Sequence, residues 1–154
     1  MPSIPSFPRV PTMDLFTAME VSASGMTAER TRMNIAASNL ANVQTTEAQG
    51  GGGPYRRRDV TMASAEMPNT RGNRFAQAVR GVVVSQITED QAPPRLEYDP
   101  GHPQANAQGY VAYPNVNPVE EMVDMITASR AYEAGVTTMS TAVSMAERAL
   151  GIGR

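Results

Sequence analysis

Apolar residues recur along the last quarter of the chain with the three- and four-residue spacing of one helical face, and chemical signals bound that stretch at both ends. Asn117 can accept a hydrogen bond from the first helical turn, Pro118 suits the first helical position, and Glu120 completes an N-x-x-E capping box. Arg148 falls in the last turn, and Gly151 can take the left-handed conformation that closes a helix. The pattern predicts one long helix over Asn117 to Leu150. A single heptad frame places Met122, Ser129, Val136, Val143 and Leu150 at one seam position and Met125, Tyr132, Met139 and Ala146 at the other. Only Ser129 breaks the apolar seam, and a seam this regular needs a partner helix.

That partner is predicted over Thr12 to Val43, where Phe16, Met19, Ala23, Met26, Met33, Ala37 and Leu40 keep the helical spacing and Arg30 interrupts it. Gly25 weakens this helix by about 1 kcal/mol relative to Ala and predicts fraying or a kink. Asn42 is placed to end it as a left-handed cap. Asn39 and Asn42 lie three apart on one face. Their amides can serve as caps or can bridge to a neighbouring helix or a returning chain.

Between the helices the pattern changes period. Gln49 to Pro54, with four consecutive glycines, predicts a flexible joint. Tyr55 to Ala63 predicts a short strand, Val79 to Thr88 the strongest strand of the chain, Arg95 to Tyr98 and Gly109 to Tyr113 two shorter ones, and Asp99-Pro100-Gly101 a turn. So few strands bury little by themselves, which predicts that they lean on the helices or on other subunits. Residues 1–12, with Pro at 2, 5, 8 and 11, form an extended Pro-rich tail expected to be disordered.

Composition narrows what such a chain can do. Its 154 residues are 41% hydrophobic but only 5% aromatic, with 12 Gly, 12 Pro and 11 Met, which predicts slim helix-on-helix packing. All 13 basic residues are Arg, and against 15 acids they leave a net charge of −2, so no nucleic-acid partner is expected. Arg56-Arg57-Arg58 lacks interleaved aromatics and reads as a solvated or salt-bridging edge. No apolar run is long enough to span a bilayer, and the opening residues lack the apolar core of a cleavable signal. With no Cys there is neither a disulfide framework nor a thiolate nucleophile. His102, the only histidine, sits near Glu97 and Asp99 without a second ligand and reads as a turn residue. The serines have no nucleophile-elbow context. No catalytic, cofactor or metal site is predicted, and no enzyme activity.

Two stretches, Ser22 to Val60 (SASGMTAERTRMNIAASNLANVQTTEAQGGGGPYRRRDV) and Gly109 to Arg154 (GYVAYPNVNPVEEMVDMITASRAYEAGVTTMSTAVSMAERALGIGR), resemble the terminal signatures of bacterial flagellar rod and hook proteins. Pro93 to Val111 extends the likeness toward the short basal-body rod proteins of the proximal rod. The matches fall at Ala36, Asn39, Leu40, Ala41, Asn42 and Thr45, and at Asn115, Val116, Glu121, Met122, Val123, Ile126, Arg130, Ala131, Tyr132 and Glu133. Gly135 departs from the family's usual Asn and is expected to soften the helix locally. The usual start resembles Met13-Asp14-Leu15-Phe16, which implies that residues 1–12 are an extension or an upstream choice of start.

The resemblance implies a mainly α fold with a small β segment, in which long N- and C-terminal helices pair as an antiparallel coiled-coil-like bundle. It divides the chain into the 1–12 extension, a helical part of the axial assembly domain at 13–46, a Gly-rich joint and β-rich segment at 47–114, and a second helical part at 115–154. It also implies a structural subunit of the proximal rod, polymerising into the torque-transmitting shaft around the export channel. The implied partners are copies of itself, other rod proteins, the flagellar type III export apparatus that carries it out without a cleaved signal, and basal-body ring components. The implied assembly interface comprises Met19, Met26, Met33, Asn39, Leu40, Asn42, Met122, Met125, Ile126, Arg130, Tyr132, Val136, Met139, Val143 and Leu150. Another rod- or hook-type axial subunit is the nearest alternative, but those relatives carry larger inserted domains; a cell-wall-acting enzyme is the more distant one.

Overall fold

The computed structural model describes residues 15–48, 52–66 and 79–152. The Pro-rich extension, the connection at Pro68 to Gly72 whose Pro, Asn and Gly residues predict a turn, and the first part of the Gly run therefore lie outside the described residues. Two helices and two small antiparallel sheets follow in the order α1 (Leu15–Ala41), β1 (Arg58–Glu66), β2 (Arg80–Glu89), β3 (Arg95–Tyr98), β4 (Tyr110–Tyr113) and α2 (Pro118–Ile152). The fold thus mixes helix and strand, with 27 residues in α1 and 35 in α2.

Local chemistry explains most boundaries. Asn117 Oδ1 accepts from the Val119 N–H at 3.1 Å, and the Glu121 N–H donates to the Asn117 carbonyl, so α2 starts where its cap predicts. At the other end the prediction fails, since α2 continues through Gly151 to Ile152. Among the described residues only Gly53 and Gly109 have positive φ, so neither Gly151 nor Asn42 is a left-handed cap. Asn42 ends α1 differently: its Nδ2 donates to the Ser38 carbonyl at 2.8 Å and its Oδ1 accepts from Thr45 Oγ1. A side-chain amide can satisfy an orphaned helix carbonyl without requiring a strained backbone. α1 runs as one helix through Gly25.

β1 and β2 pair from Arg58↔Glu89 to Glu66↔Arg80, with a bulge between Thr61 and Met62 that leaves Ser85 unmatched. The strand predicted at Tyr55 begins three residues later, at Arg58. β3 pairs with β4 from Arg95↔Tyr113 to Tyr98↔Tyr110. Gly109, at φ +83°, approaches the Tyr98 ring so closely that a Cβ there would lie 2.8 Å from it. β1 and β2 lean on α1, and the Val82 N–H donates to Ser24 Oγ at 3.0 Å. The flexible joint predicted for the Gly-rich run lies in part outside the described residues, at 49–51. Its flanks are tied together by bonds from the Ala48 N–H to the Gly53 carbonyl and from the Tyr55 N–H to the Thr45 carbonyl.

α1 and α2 pack along each other, and their contacts run in opposite chain order. Asn39 meets Glu121, Arg32 meets Asp124, and Met26 meets Gly135. The face of α2 turned to α1 repeats every seven residues at Glu121, Ala128, Gly135 and Ala142, alternating with half-buried Met125, Tyr132, Met139 and Ala146. The second row is as predicted; the first lies one residue earlier than predicted. Met122, Val136, Val143 and Leu150 are exposed and lie outside the intramolecular seam. The reason is steric: helices approach most closely through small side chains, and a frame that rewards apolar bulk selects the neighbouring row. In α1 the predicted row is kept in part, with Met26 meeting Gly135 and Met19, Met33 and Leu40 half-buried. Ala28, Ala36 and Asn39 are buried there, whereas Phe16 and Ala37 are exposed.

Candidate functional site

Where α1 ends and α2 begins, the largest fully buried side chains include Glu121 and Asn39, 2% and 1% exposed, alongside Val111 and Pro114. Burying an amide and a carboxylate is costly unless every polar atom finds a partner. Asn39 meets that condition. Its Nδ2 donates to the Arg58 carbonyl at 2.8 Å and to Glu121 Oε2 at 2.9 Å, while its Oδ1 accepts from Tyr55 Oη and the Arg58 N–H, both at 2.9 Å. These four bonds exhaust the amide's capacity and join α1, the segment leading into β1, and α2 through one side chain.

Glu121 completes the junction with charge. Its Oε1 accepts from Arg57 Nε in an ion pair, and Arg57 Nη2 lies 3.9 Å from Asp124 Oδ2. Asp124 Oδ1 accepts from Arg32 Nη2 at 2.8 Å, returning the network to α1. Burial pulls the Arg57 pKa down, but its hydrogen bond to Glu121 and the charges of Glu121, Asp59 and Asp124 outweigh burial and raise it above the ordinary guanidinium value. Arg57 is therefore a fixed cation. The Arg57 N–H also reaches Asn115 Oδ1 at 3.4 Å, which holds the approach to α2 against the start of β1.

The arginine triplet is thus a salt-bridging edge with one member turned inward. Arg58 pairs with Glu89 at 3.5 Å, and Arg56 donates to Gln91. The two readings of the α1 amides divide between them: Asn39 bridges to the returning chain and Asn42 caps. His102 Nδ1 accepts from the Gln104 N–H at 3.1 Å, and its ring stands edge-on to Tyr113, the arrangement of a turn residue. Among the described residues, no group of three or more His, Asp or Glu gathers to hold a metal, and no helix is long and apolar enough to cross a membrane.

Away from the junction the predicted residues fall into two sets. Met19, Met26, Met33, Leu40, Met125, Tyr132 and Met139 are half-buried, whereas Met122, Ile126, Arg130, Val136, Val143 and Leu150 are exposed. Gly135 has a packing role: a Cβ there would lie 2.6 Å from Met26 Cγ, so the glycine is the hole that receives Met26. The sequence pattern did not reveal Tyr55 as the partner of Asn39, Arg57 as the partner of Glu121, or Asn115 as the acceptor for the Arg57 N–H. The available signal was Glu121, a carboxylate among the signature residues one position before the chosen seam.

Two family models match this chain: a flagella basal body rod protein model over residues 19–49, and a flagellar basal body rod FlgEFG protein C-terminal model over residues 107–152. They cover the two helical ends that meet at the junction. Among curated proteins, the flagellar basal-body rod protein FlgC of Bacillus subtilis is 45% identical over 150 residues, covering 92% of this chain and 100% of the relative. That of Borreliella burgdorferi is 42% identical, covering 91% and 98%, and that of Salmonella typhimurium is 39% identical, covering 92% and 100%. With both matched segments converging on one polar junction and relatives aligned over nearly their whole lengths, the chain belongs to the flagellar basal-body rod protein FlgC family.

Proposed function

We propose that this chain is a structural subunit of the proximal rod of the bacterial flagellar basal body, a non-enzymatic building block polymerising through its terminal helices into the shaft around the export channel. The observation that carries the reading, beside family membership, is the distribution of apolar residues on α2. One face is closed against α1, yet Met122, Ile126, Val136, Val143 and Leu150 remain exposed on the same helix. A helix with an apolar row left over after its own partner has docked is built to meet other subunits. In this reading α1 and α2 pair as an antiparallel coiled-coil-like bundle, and the exposed row, with Arg130, faces neighbours. Those neighbours are copies of the chain and other rod proteins, and the β sheets lie outward, toward ring components. Export through the flagellar type III apparatus in an unfolded state suits a slender, cysteine-free chain whose helices complete their burial only on incorporation.

The test is complementation. In a flagellated cell lacking its own rod protein of this family, the chain should restore swimming and be recovered in purified basal bodies. Met125→Asp or Tyr132→Asp should abolish both by placing a charge in the seam, whereas His102→Ala should leave both intact. Swimming retained by the seam variants would refute the reading.

A further inference from the structure

An apolar groove opens between α1 and β2. It has a free volume of about 430 Å³ and is lined by Ala23, Thr27 and Thr31 of the helix and Val82, Val83 and Val84 of the strand. Its origin is local. Val82 is pinned to the helix through Ser24, whose own hydroxyl donates to the Val21 carbonyl at 2.7 Å, and the helix beside that pin offers only small side chains. Val83 is 44% exposed, and Val82 and Val84 are only half-buried.

The first two turns of α2 carry the complementary feature. Val119, Met122, Val123 and Ile126 stand at positions i, i+3, i+4 and i+7 and are 67%, 45%, 57% and 54% exposed. That is the spacing by which an amphipathic helix enters a groove. Helical geometry turns them away from Glu121, Met125 and Ala128, the residues that face α1, so this ridge cannot reach the groove of its own chain.

We infer that the ridge of one copy seats in the α1–β2 groove of a second copy. The inference rests on the rod reading and names the contact. Charge supports the pairing and sets its direction. Arg30 is exposed on α1 beside Thr27 and Thr31, while Glu120 and Arg130 flank the ridge on α2. Laid antiparallel to α1, the ridge brings Glu120 level with Arg30; laid parallel, it carries Arg130 to that side instead, and like charges repel. Ridge and groove are different surfaces of the same molecule, so the contact is heterologous. It repeats head to tail and yields a helical array or a ring, not a closed two-fold dimer.

The chain has no cysteine, so disulfide trapping has no background. Thr27→Cys and Val123→Cys variants, co-expressed in a flagellated cell lacking its own copy, should give a mixed 27–123 dimer as the main product when isolated basal bodies are oxidised. Each variant alone should stay mostly monomeric. In a second arm, Arg30→Glu and Glu120→Arg should each lose most incorporation, and the two changes in one chain should restore it, since every copy then supplies both reversed charges. Incorporated variants without the mixed dimer, or single reversals with full incorporation, overturn the inference and leave the rod reading standing. An unaltered chain that never enters basal bodies overturns the rod reading itself.

Discussion

The two ends of the α1–α2 pair are held by different chemistry. At the end where α1 stops and α2 starts, the buried bulk is polar: Asn39 makes four directional hydrogen bonds and Glu121 is clasped by Arg57. Toward the other end the contact is slim and apolar, with Met26 set into the gap at Gly135 and with Ala142 buried beyond it. Directional bonds are satisfied in one alignment only, so the polar end fixes the helix register and the path of the intervening chain. Small apolar contacts give burial without direction. They tolerate small shifts, as a subunit that adjusts to its neighbours requires.

The largest expected effect comes from opening the polar end. Arg57→Met leaves the Glu121 carboxylate buried without its cation and should cost about 3–5 kcal/mol, read as a lowered urea midpoint; adding Glu121→Gln should recover much of that loss. Asn39→Leu strands one Glu121 oxygen, removes the partner of both Arg58 backbone groups and leaves the Tyr55 hydroxyl only Ser38 Oγ at 3.4 Å, and should cost roughly 2–4 kcal/mol in the same assay. Asn39→Asp keeps the shape but loses both donors and adds a charge beside Glu121. If it proves as mild as a surface change, the hydrogen-bond pattern is not what holds this end.

Changes at the slim end should be smaller. Gly135→Asn overpacks Met26 and should cost about 1–3 kcal/mol, with Met26→Ala in the same chain relieving it. Gly135→Ala alone opposes two terms of similar size, since Ala favours helix by about 1 kcal/mol while its Cβ meets Met26. In the Met26→Ala background only the gain should remain. Smallest of all, Val143→Ser on the exposed row should change stability of the free chain by no more than about 0.5 kcal/mol, yet it should lower recovery in basal bodies.

What the sequence made legible follows the same division. Elements set by local rules were readable: the Asn117-Pro118 start of α2, the end of α1 near Asn42, and strands near Val79 to Thr88, Arg95 to Tyr98 and Gly109 to Tyr113. The seam was displaced by one residue because periodicity rewards large apolar side chains, while the contact is built from Ala128, Gly135 and Ala142. Arg57 looked like one member of a surface triplet because its partner lies 64 residues away. Asn39 was half legible: its amide announced a bridge or a cap, and only the fold brings Tyr55, Arg58 and Glu121 to all four of its hydrogen-bonding positions.

Residue-resolved hydrogen exchange on the free chain tests the contrast between the two ends most directly. Buried, mutually satisfied polar groups should make the junction the last part to open, so amides around Asn39, Arg58 and residues 121–128 should be strongly protected. Protection should fall toward Leu15 in α1 and beyond Gly135 in α2, where the contact between the helices is slim and apolar. Protection that is uniform along both helices, or strongest at their far ends, would contradict the account.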